Sequence, residues 1–479
     1  MLRALVAALM IGLSIWVLSS ARSGVEISQR LVGQTPVTEY AQAGADGPAV
    51  VIAHGFAGSQ QMMQGYALPL ARAGYRVAVF EFLGHGRHTQ PMSGDVNAIE
   101  GTTRLLVSQV HAVMDAVTEG DAPVALLGHS MATDILVRAA QTRDDVGPMV
   151  LVSAFSQEID GSAPADLLLI TGAWEPGLRA FAVDALKMVD GSSAQGPTAS
   201  DGQLERRAVI APLSDHVSVL HSRTGRTEAL DWLDRFYDRS SNVQILPTGW
   251  ALLALFFGMV LAFRPFVALL PDRPRATVLL TAWQRLVLVL VPAIAAPSVA
   301  VAVHPTFLPV LVADHLMLHL LLFGGLQLAF LWYWRVPLGG FSIAAFAIVL
   351  VWCIVFGFAL DRYAANFWPT AGRLWIIAVI GIGAVPYMLA DAILAAQSSF
   401  WQRLVFRLGF IGSLIVAVVL DFEGLFFLIM IAPVMVLFYL IFGTVGRAAA
   451  RVSGPLAPGL ALGIVLAWAL GVSFPLFQS

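Results

Sequence analysis

At 479 residues, 58% of them hydrophobic and only 12% charged, the chain is too long for one ordinary soluble domain and too apolar for two. Part of it must therefore sit in a membrane. A net charge of −3 with no Lys/Arg-rich run leaves no electrostatic footprint for nucleic acid, and that class of partner is excluded. Cys353 is the single cysteine, so an internal disulfide is excluded too. Lys187 is the only lysine, a bias towards arginine that points to a GC-rich bacterial genome.

Residues 1–21 carry one early positive charge, Arg3, then an apolar run to Leu18, then Ser19-Ser20-Ala21. The run is shorter than the ~20 residues of a comfortable span, and Ser19-x-Ala21 resembles a cleavage site. A transmembrane anchor and a signal-like segment both fit.

Residues 24–240 hold most of the charge and alternate short apolar runs with amphipathic stretches. That alternation predicts an α/β domain with a mainly parallel sheet. Predicted strands are Ala49–Ala53, Arg76–Phe80, Pro123–Leu127, Met149–Ser153, Leu167–Thr171 and Ala208–Pro212. Predicted helices are Gln60–Ala73, Thr102–Thr118, Met131–Gln141, Leu178–Val189 and Thr227–Tyr237. In such a domain chemistry gathers at the carboxyl ends of the strands.

Residues 247–479 read as about eight apolar runs, at roughly 249–270, 284–303, 308–333, 340–360, 374–396, 404–420, 423–445 and 456–475, each near the ~20 residues that cross a bilayer. With the N-terminus inside, the inner loops carry Arg273 and Arg275, Arg335, Arg403 and Arg407, and Arg447 and Arg451. The outer loops hold uncharged 303–308, a segment with Asp361, Arg362 and Arg373, and acidic 421–423. The positive-inside bias places the α/β domain outside the cytoplasm, in the periplasm if the cell is Gram-negative, with the chain then expected in the bacterial inner membrane.

Within the α/β region, Gly128-His129-Ser130-Met131-Ala132 follows an apolar strand and opens a helical pattern. This reads as a nucleophile elbow, where a strained serine needs small neighbours such as Gly128 and Ala132. By itself the pattern also fits a serine that only caps a helix. Three further segments add to it. His54-Gly55-Phe56-Ala57-Gly58 follows the first predicted strand, and such a turn aims a backbone N–H at a developing oxyanion. The predicted oxyanion donors are the amides of Phe56 and Met131. Glu175 stands just past Leu167–Thr171, where an acid would orient a histidine, with Asp160 in reserve. Asp166 lies at the wrong end of that strand, and Asp184 reads as a surface acid. His216 follows the last strand, and its ordinary pKa of about 6.5 suits it to take a serine proton. Asp215 precedes it directly, and adjacent side chains rarely face each other.

Taken together, HGF at 54–56, EFLGHGRH at 81–88, GHSMA at 128–132, GAWEPG at 172–177 and SDHVSVL at 214–220 resemble the α/β-hydrolase superfamily, in particular its serine esterases and lipases. The resemblance covers about residues 48–237 and follows the order Ser, acid, His. It implies an α/β-hydrolase fold in which Ser130, Glu175 and His216 are nucleophile, acid and base, with no cofactor and no metal. Ala132 replaces a commoner glycine and Glu175 a commoner aspartate. Gly84-His85-Gly86 reads as a structural turn, His129 as structural, and His88 and His111 as solvated. Only Ala154–Ala165 separates two strands between which many lipases of the family carry a cap, so no cap is expected. The site mouth is then expected against the membrane half or the bilayer surface, which favours amphiphilic substrates.

In the membrane half, Asp314, His315 and His319 lie near the outer end of one run, with the histidines at i, i+4, a spacing that suits a metal or a proton relay. The alternative is a pair of interfacial histidines satisfied by water. Asp391, Asp361, Asp421 and Glu423 read as interfacial. The favoured function is a membrane-embedded extracytoplasmic serine hydrolase acting on an ester or thioester of a lipid or lipid-linked molecule through an acyl-enzyme on Ser130. Its alternatives are an acyltransferase using the same intermediate, and a transporter or assembly factor with a non-catalytic hydrolase-like domain.

Overall fold

The computed structural model describes residues 2–95, 99–118, 120–190, 198–268, 270 and 280–478. Helix α1 (Leu2–Arg22) leads into a nine-stranded sheet. Its strands are β1 (Glu26–Val32), β2 (Thr35–Ala41), β3 (Ala49–Ala53), β4 (Arg76–Phe80), β5 (Val124–His129), β6 (Val146–Val152), β7 (Asp166–Gly172), β8 (Thr198–Ser200) and β9 (Glu205–Ala211). They are ordered β1-β2-β4-β3-β5-β6-β7-β9-β8, and the central six are parallel. Between and after them run α2 (Gln64–Arg72), α3 (Arg104–Val117), α4 (Met131–Ala140), α5 (Pro176–Lys187) and α6 (Arg223–Phe236).

The sheet is buried on both faces because alternate side chains of one strand point to opposite sides. Val51 and Ala53 of β3 join α3, α4 and α5 in one core through Val110, Leu136 and Leu186. Val50 and Ile52 join α2 and α6 in the other through Leu70 and Leu233. The six predicted strands all form, two with unchanged bounds (Ala49–Ala53 and Arg76–Phe80) and four with shifts of one to three residues at their ends. The β1–β2 hairpin and β8 were not expected. β1 is an edge strand, mostly exposed, so it has no apolar run to announce it.

Helices α7 (Thr248–Val267), α8 (Ala282–Val303), α9 (Ala313–Tyr333), α10 (Ile343–Tyr363), α11 (Leu374–Gln397), α12 (Phe400–Leu420), the short α13 (Phe422–Leu425), α14 (Ile431–Ser453) and α15 (Leu456–Ser473) follow. Among the described residues, nine helices including α1 are long and apolar enough to cross a membrane. A Cβ on Gly258 of α7 would meet Met10 and Ile11 of α1 at 3.1 Å, so these two helices lie in close contact. Glycines also let α11 sit between α9 and α15. Gly324 abuts the Tyr387 backbone, and a Cβ on Gly463 would lie 2.6 Å from Val385 Cα.

The long helices alternate in direction, so their connections fall at two ends. Segments 304–312, 361–373 and 421–430 and the tail 474–478 lie at the end next to the sheet. There Arg87 pairs with Asp361 at 2.7 Å, Asn366 N–H donates to Ser59 Oγ at 3.1 Å, and Phe477 N–H donates to the Pro309 carbonyl at 2.9 Å. The tail pairs with the loop after β4 through Leu476 N–H to Gly84 O at 2.8 Å and Met92 N–H to Leu476 O at 2.8 Å. Arg335, Arg403, Arg407, Arg447 and Arg451 lie towards the opposite end. Arg273 and Arg275 fall outside the described residues.

Candidate active site

β5 delivers Ser130 into a turn that only small neighbours permit. Ser130 has φ 55° and ψ −121°, a strained conformation for a residue with a side chain, and its N–H is anchored on Val152 O at 3.0 Å. A Cβ on Gly128 would lie 2.7 Å from Leu136, and Ala132 is fully buried beneath the turn. The requirement for small residues at 128 and 132 is therefore steric.

His216, on the loop after β9, places Nε2 2.8 Å from Ser130 Oγ. Its Nδ1 lies 2.6 Å from Glu175 Oε1. Glu175 is buried at the N-terminus of α5, and its other oxygen accepts from Ser153 Oγ at 2.8 Å and Gly172 N–H at 2.6 Å. Burial pushes the Glu175 carboxyl up, but the hydrogen bonds from His216, Gly172 and Ser153 outweigh it and hold the group below the usual carboxylate range. The structure thus brings Ser130, His216 and Glu175 into one line.

The loop after β3 touches this line. A Cβ on Gly55 would meet Ser130 Cβ at 2.9 Å and His129 Nδ1 at 3.0 Å, so the chain entering Phe56 runs against the serine. Gly58 N–H to Gly55 O at 3.0 Å closes a tight turn there. Phe56 follows Gly55 in this turn, and Met131, next to Ser130 in the chain, is the first residue of α4. Ser153 is the partner of Glu175 that sequence reasoning missed, having been counted only as the end of a strand.

Other predicted positions fall elsewhere. Asp160 accepts from Ser162 and Ala163 in its own exposed loop, Asp184 pairs with Lys187, and Asp215 caps Val217 and Ser218. His129 donates from Nε2 to His216 O at 2.8 Å, and burial followed by the nearby His216 lowers its pKa to about 4. His88 is not solvated as expected but buried, with Nδ1 accepting from Gln90 N–H at 3.0 Å. The expectation failed because the helical region covers this loop. Gly84-His85-Gly86 is a turn with positive φ at both glycines, and Gly86 leaves room for the buried Glu81 carboxyl. His54 ties the two loops together by accepting from Phe82 N–H at 3.1 Å and contacting Gly55 O at 2.8 Å.

Residues 153–165 join β6 to β7 without a helix or strand, so no cap is inserted there. The carboxyl ends of β3 and β4 meet the helical region instead. Phe56 packs on Phe427 with ring centroids 5.2 Å apart, and the buried Arg373 donates to Gly84 O at 2.7 Å, Gly471 O at 3.1 Å and Phe474 O at 2.5 Å. Beyond that contact the loops after β6, β7 and β9 expose Phe155 at 56%, Trp174 at 64%, Leu213 at 74% and Val217 at 53%. Isolated exposed apolar residues are ordinary, but four on the loops around one serine form a rim. Among the described residues no cluster of three His, Cys, Asp or Glu side chains could hold a metal.

Residues 48–254 match the sequence model of the alpha/beta hydrolase fold family. With the parallel sheet and the elbow at its centre, this region has the α/β-hydrolase fold. Among solved structures, a protein described as a predicted CIB-like hydrolase from Thermoplasma acidophilum is 16% identical, with 44% of this chain covering 100% of that one at a TM-score of 0.36. A bacterial membrane phospholipase A is 14% identical, with 48% and 93% covered and a TM-score of 0.35. An epoxide hydrolase from an endophytic Streptomyces is 15% identical, with 45% and 97% covered and a TM-score of 0.33. Comparison with curated proteins returns no match.

Proposed function

We propose that the protein is a membrane-embedded serine hydrolase whose catalytic domain lies outside the cytoplasm and cleaves an ester or thioester of a lipid or lipid-linked molecule. The line from Ser130 Oγ through His216 to Glu175, at 2.8 and 2.6 Å, carries the reading. His216 Nε2 takes the Ser130 proton as Oγ attacks the carbonyl carbon, and Glu175 accepts from Nδ1–H and stabilises the imidazolium. The carbonyl oxygen, now an anion, receives the N–H groups of Phe56 and Met131. Collapse expels the alcohol or thiol with the His216 proton and leaves an acyl group on Ser130, which water then removes.

Two observations favour an amphiphilic substrate. The carboxyl edge of the sheet rests on one end of the apolar helices, and the uncapped mouth is rimmed by Phe155, Trp174, Leu213 and Val217. The arginines at the opposite helix ends favour that end for the cytoplasm. An activity-based fluorophosphonate probe is expected to label the full protein and to lose all labelling in Ser130→Ala. Folded wild-type protein that stays unlabelled would sink the proposal. Lipid extracts from cells carrying wild-type or Ser130→Ala protein then identify the substrate as the species that accumulates.

A further inference from the structure

The helical region buries a row of polar side chains that the hydrolase chemistry does not use. At the end next to the sheet, Asp421 closes α12 and His304 closes α8, 4.0 Å apart, and both act electrostatically on His315. His315 and His319 follow on α9 with ring centroids 5.6 Å apart, and His319 Nε2 lies 2.7 Å from Ser413 Oγ of α12. Deeper in, the Tyr387 and Tyr439 hydroxyls meet between α11 and α14. Arg407 lies 4.4 Å from the Tyr439 ring centroid and pairs with Asp391 at 2.9 Å. At 1.5 Å per residue, His319 and Ser413 sit about 10 Å below the near helix ends, Tyr387 and Arg407 about 20 Å, and Asp391 about 26 Å. Two aromatic rings interrupt the row. Phe410 packs 5.8 Å from His319 and 4.4 Å from Tyr387, and Phe323 lies 5.3 Å from Phe410.

Structural polar groups inside a bilayer are normally paired, because an orphan donor or acceptor there costs several kcal/mol. The Arg407–Asp391 and Tyr387–Tyr439 pairs obey that rule. The histidines do not: among the described residues, both nitrogens of His315 and Nδ1 of His319 have no hydrogen-bond partner on the protein, although the residues are only 4% and 0% exposed. The Asp314 carboxylate beside them is committed to the Leu308 N–H at 2.9 and 3.1 Å. A transition metal would need a third ligand, and none stands within reach among the described residues. A proton needs only successive acceptors.

We propose that this row is a proton-transfer path through the membrane domain, gated where Phe410 and Phe323 separate the histidines from the tyrosines. A proton enters on a free nitrogen of His315 from the Asp421–His304 end and passes to His319. Ser413 Oγ accepts it there and, turning away from the Phe410 carbonyl to which its hydroxyl donates at 2.6 Å, releases its own proton onward. With Phe410 swung aside, that proton reaches Tyr387, is relayed by the Tyr439 hydroxyl, and is accepted by the Asp391 carboxylate. Each acceptor gains the proton its neighbour gives up, and Asp391 then sheds it to water at the far helix ends, six residues beyond it on α11, which restores its pair with Arg407, so one charge crosses, driven by the membrane potential or a pH difference.

The test uses full-length protein in liposomes of neutral phospholipid, with a pH-sensitive dye inside and an imposed potassium diffusion potential. Wild-type vesicles are expected to acidify faster than protein-free ones. His319→Ala should return the rate to the protein-free level, and Phe410→Ala should raise it above wild type by opening the gate. Fluorophosphonate labelling of Ser130 in each variant reports that the chain is folded. If labelled wild-type and Phe410→Ala protein both match empty vesicles, or if His319→Ala keeps the wild-type rate, the path does not exist.

Discussion

Two histidine pairs lie in this molecule, and their surroundings differ. His129 and His216 stand 5.0 Å apart in the hydrolase domain, with His216 held between Ser130 and Glu175 and His129 fixed on the His216 carbonyl. His315 and His319 stand 5.6 Å apart in the helical region with a single protein partner between them. An imbalance of this kind separates two uses of an imidazole. A base that acts on one substrate atom must be oriented beforehand, so its nitrogens are committed. A group that passes protons must keep a nitrogen open.

The contrast breaks most severely at Glu175. Glu175→Gln removes the charge that orients His216, and turnover is expected to fall about 10⁴-fold, as for comparable triad acids. Steady-state hydrolysis of an ester by the purified full chain checks this, and a loss below tenfold would mean that Glu175 does not orient the base. Next comes the junction between the two regions. Arg373→Ala deletes the donor to three buried carbonyls, at Gly84, Gly471 and Phe474, and is expected to cost at least about 3 kcal/mol, at roughly 1–3 for each group left unsatisfied. Thermal unfolding followed by intrinsic fluorescence reads this as a lower midpoint.

A comparable effect is expected from pH. The folded pKa of His129 is about 4, below its unfolded value of about 6.5, so the unfolded chain binds the extra proton between these values. Stability from this group is complete above pH 6.5 and is lost as pH falls towards 4, by about 3 kcal/mol at 1.36 per unit. Unfolding midpoints across that range should slope less in His129→Gln, which keeps a donor for His216 O. The smallest effect belongs to the rim. Phe155→Ser combined with Trp174→Ser should raise KM for a long-chain ester in vesicles about tenfold and leave hydrolysis of a short soluble ester unchanged. Equal effects on both substrates would show the rim to be structural.

Much of the hydrolase domain was legible in the sequence because its signals are local. Six strands are apolar runs, and the strand-to-turn junctions at 54–58, 128–132, 172–177 and 214–220 each carry small residues or a polar side chain beside the strand end. Long uncharged runs likewise announce the helices, since spanning length is a property of contiguous sequence. Asp391 shows where local reading stops. It was read as interfacial, but Arg407, sixteen positions away, turns it inwards as one half of an ion pair.

The amino-acid order alone therefore determined which residues are candidates for the chemistry and which segments are apolar. Only the tertiary structure decided who meets whom. Ser153 reaches Glu175 across 22 positions, Arg373 reaches Gly84 across 289, and His319 reaches Ser413 across 94. None of these pairs has a spacing that periodicity could reveal, because each is set by packing between elements distant in the chain. The same reason hid the burial of His88, the hold of the C-terminal tail on the loop after β4, and the open nitrogens of His315.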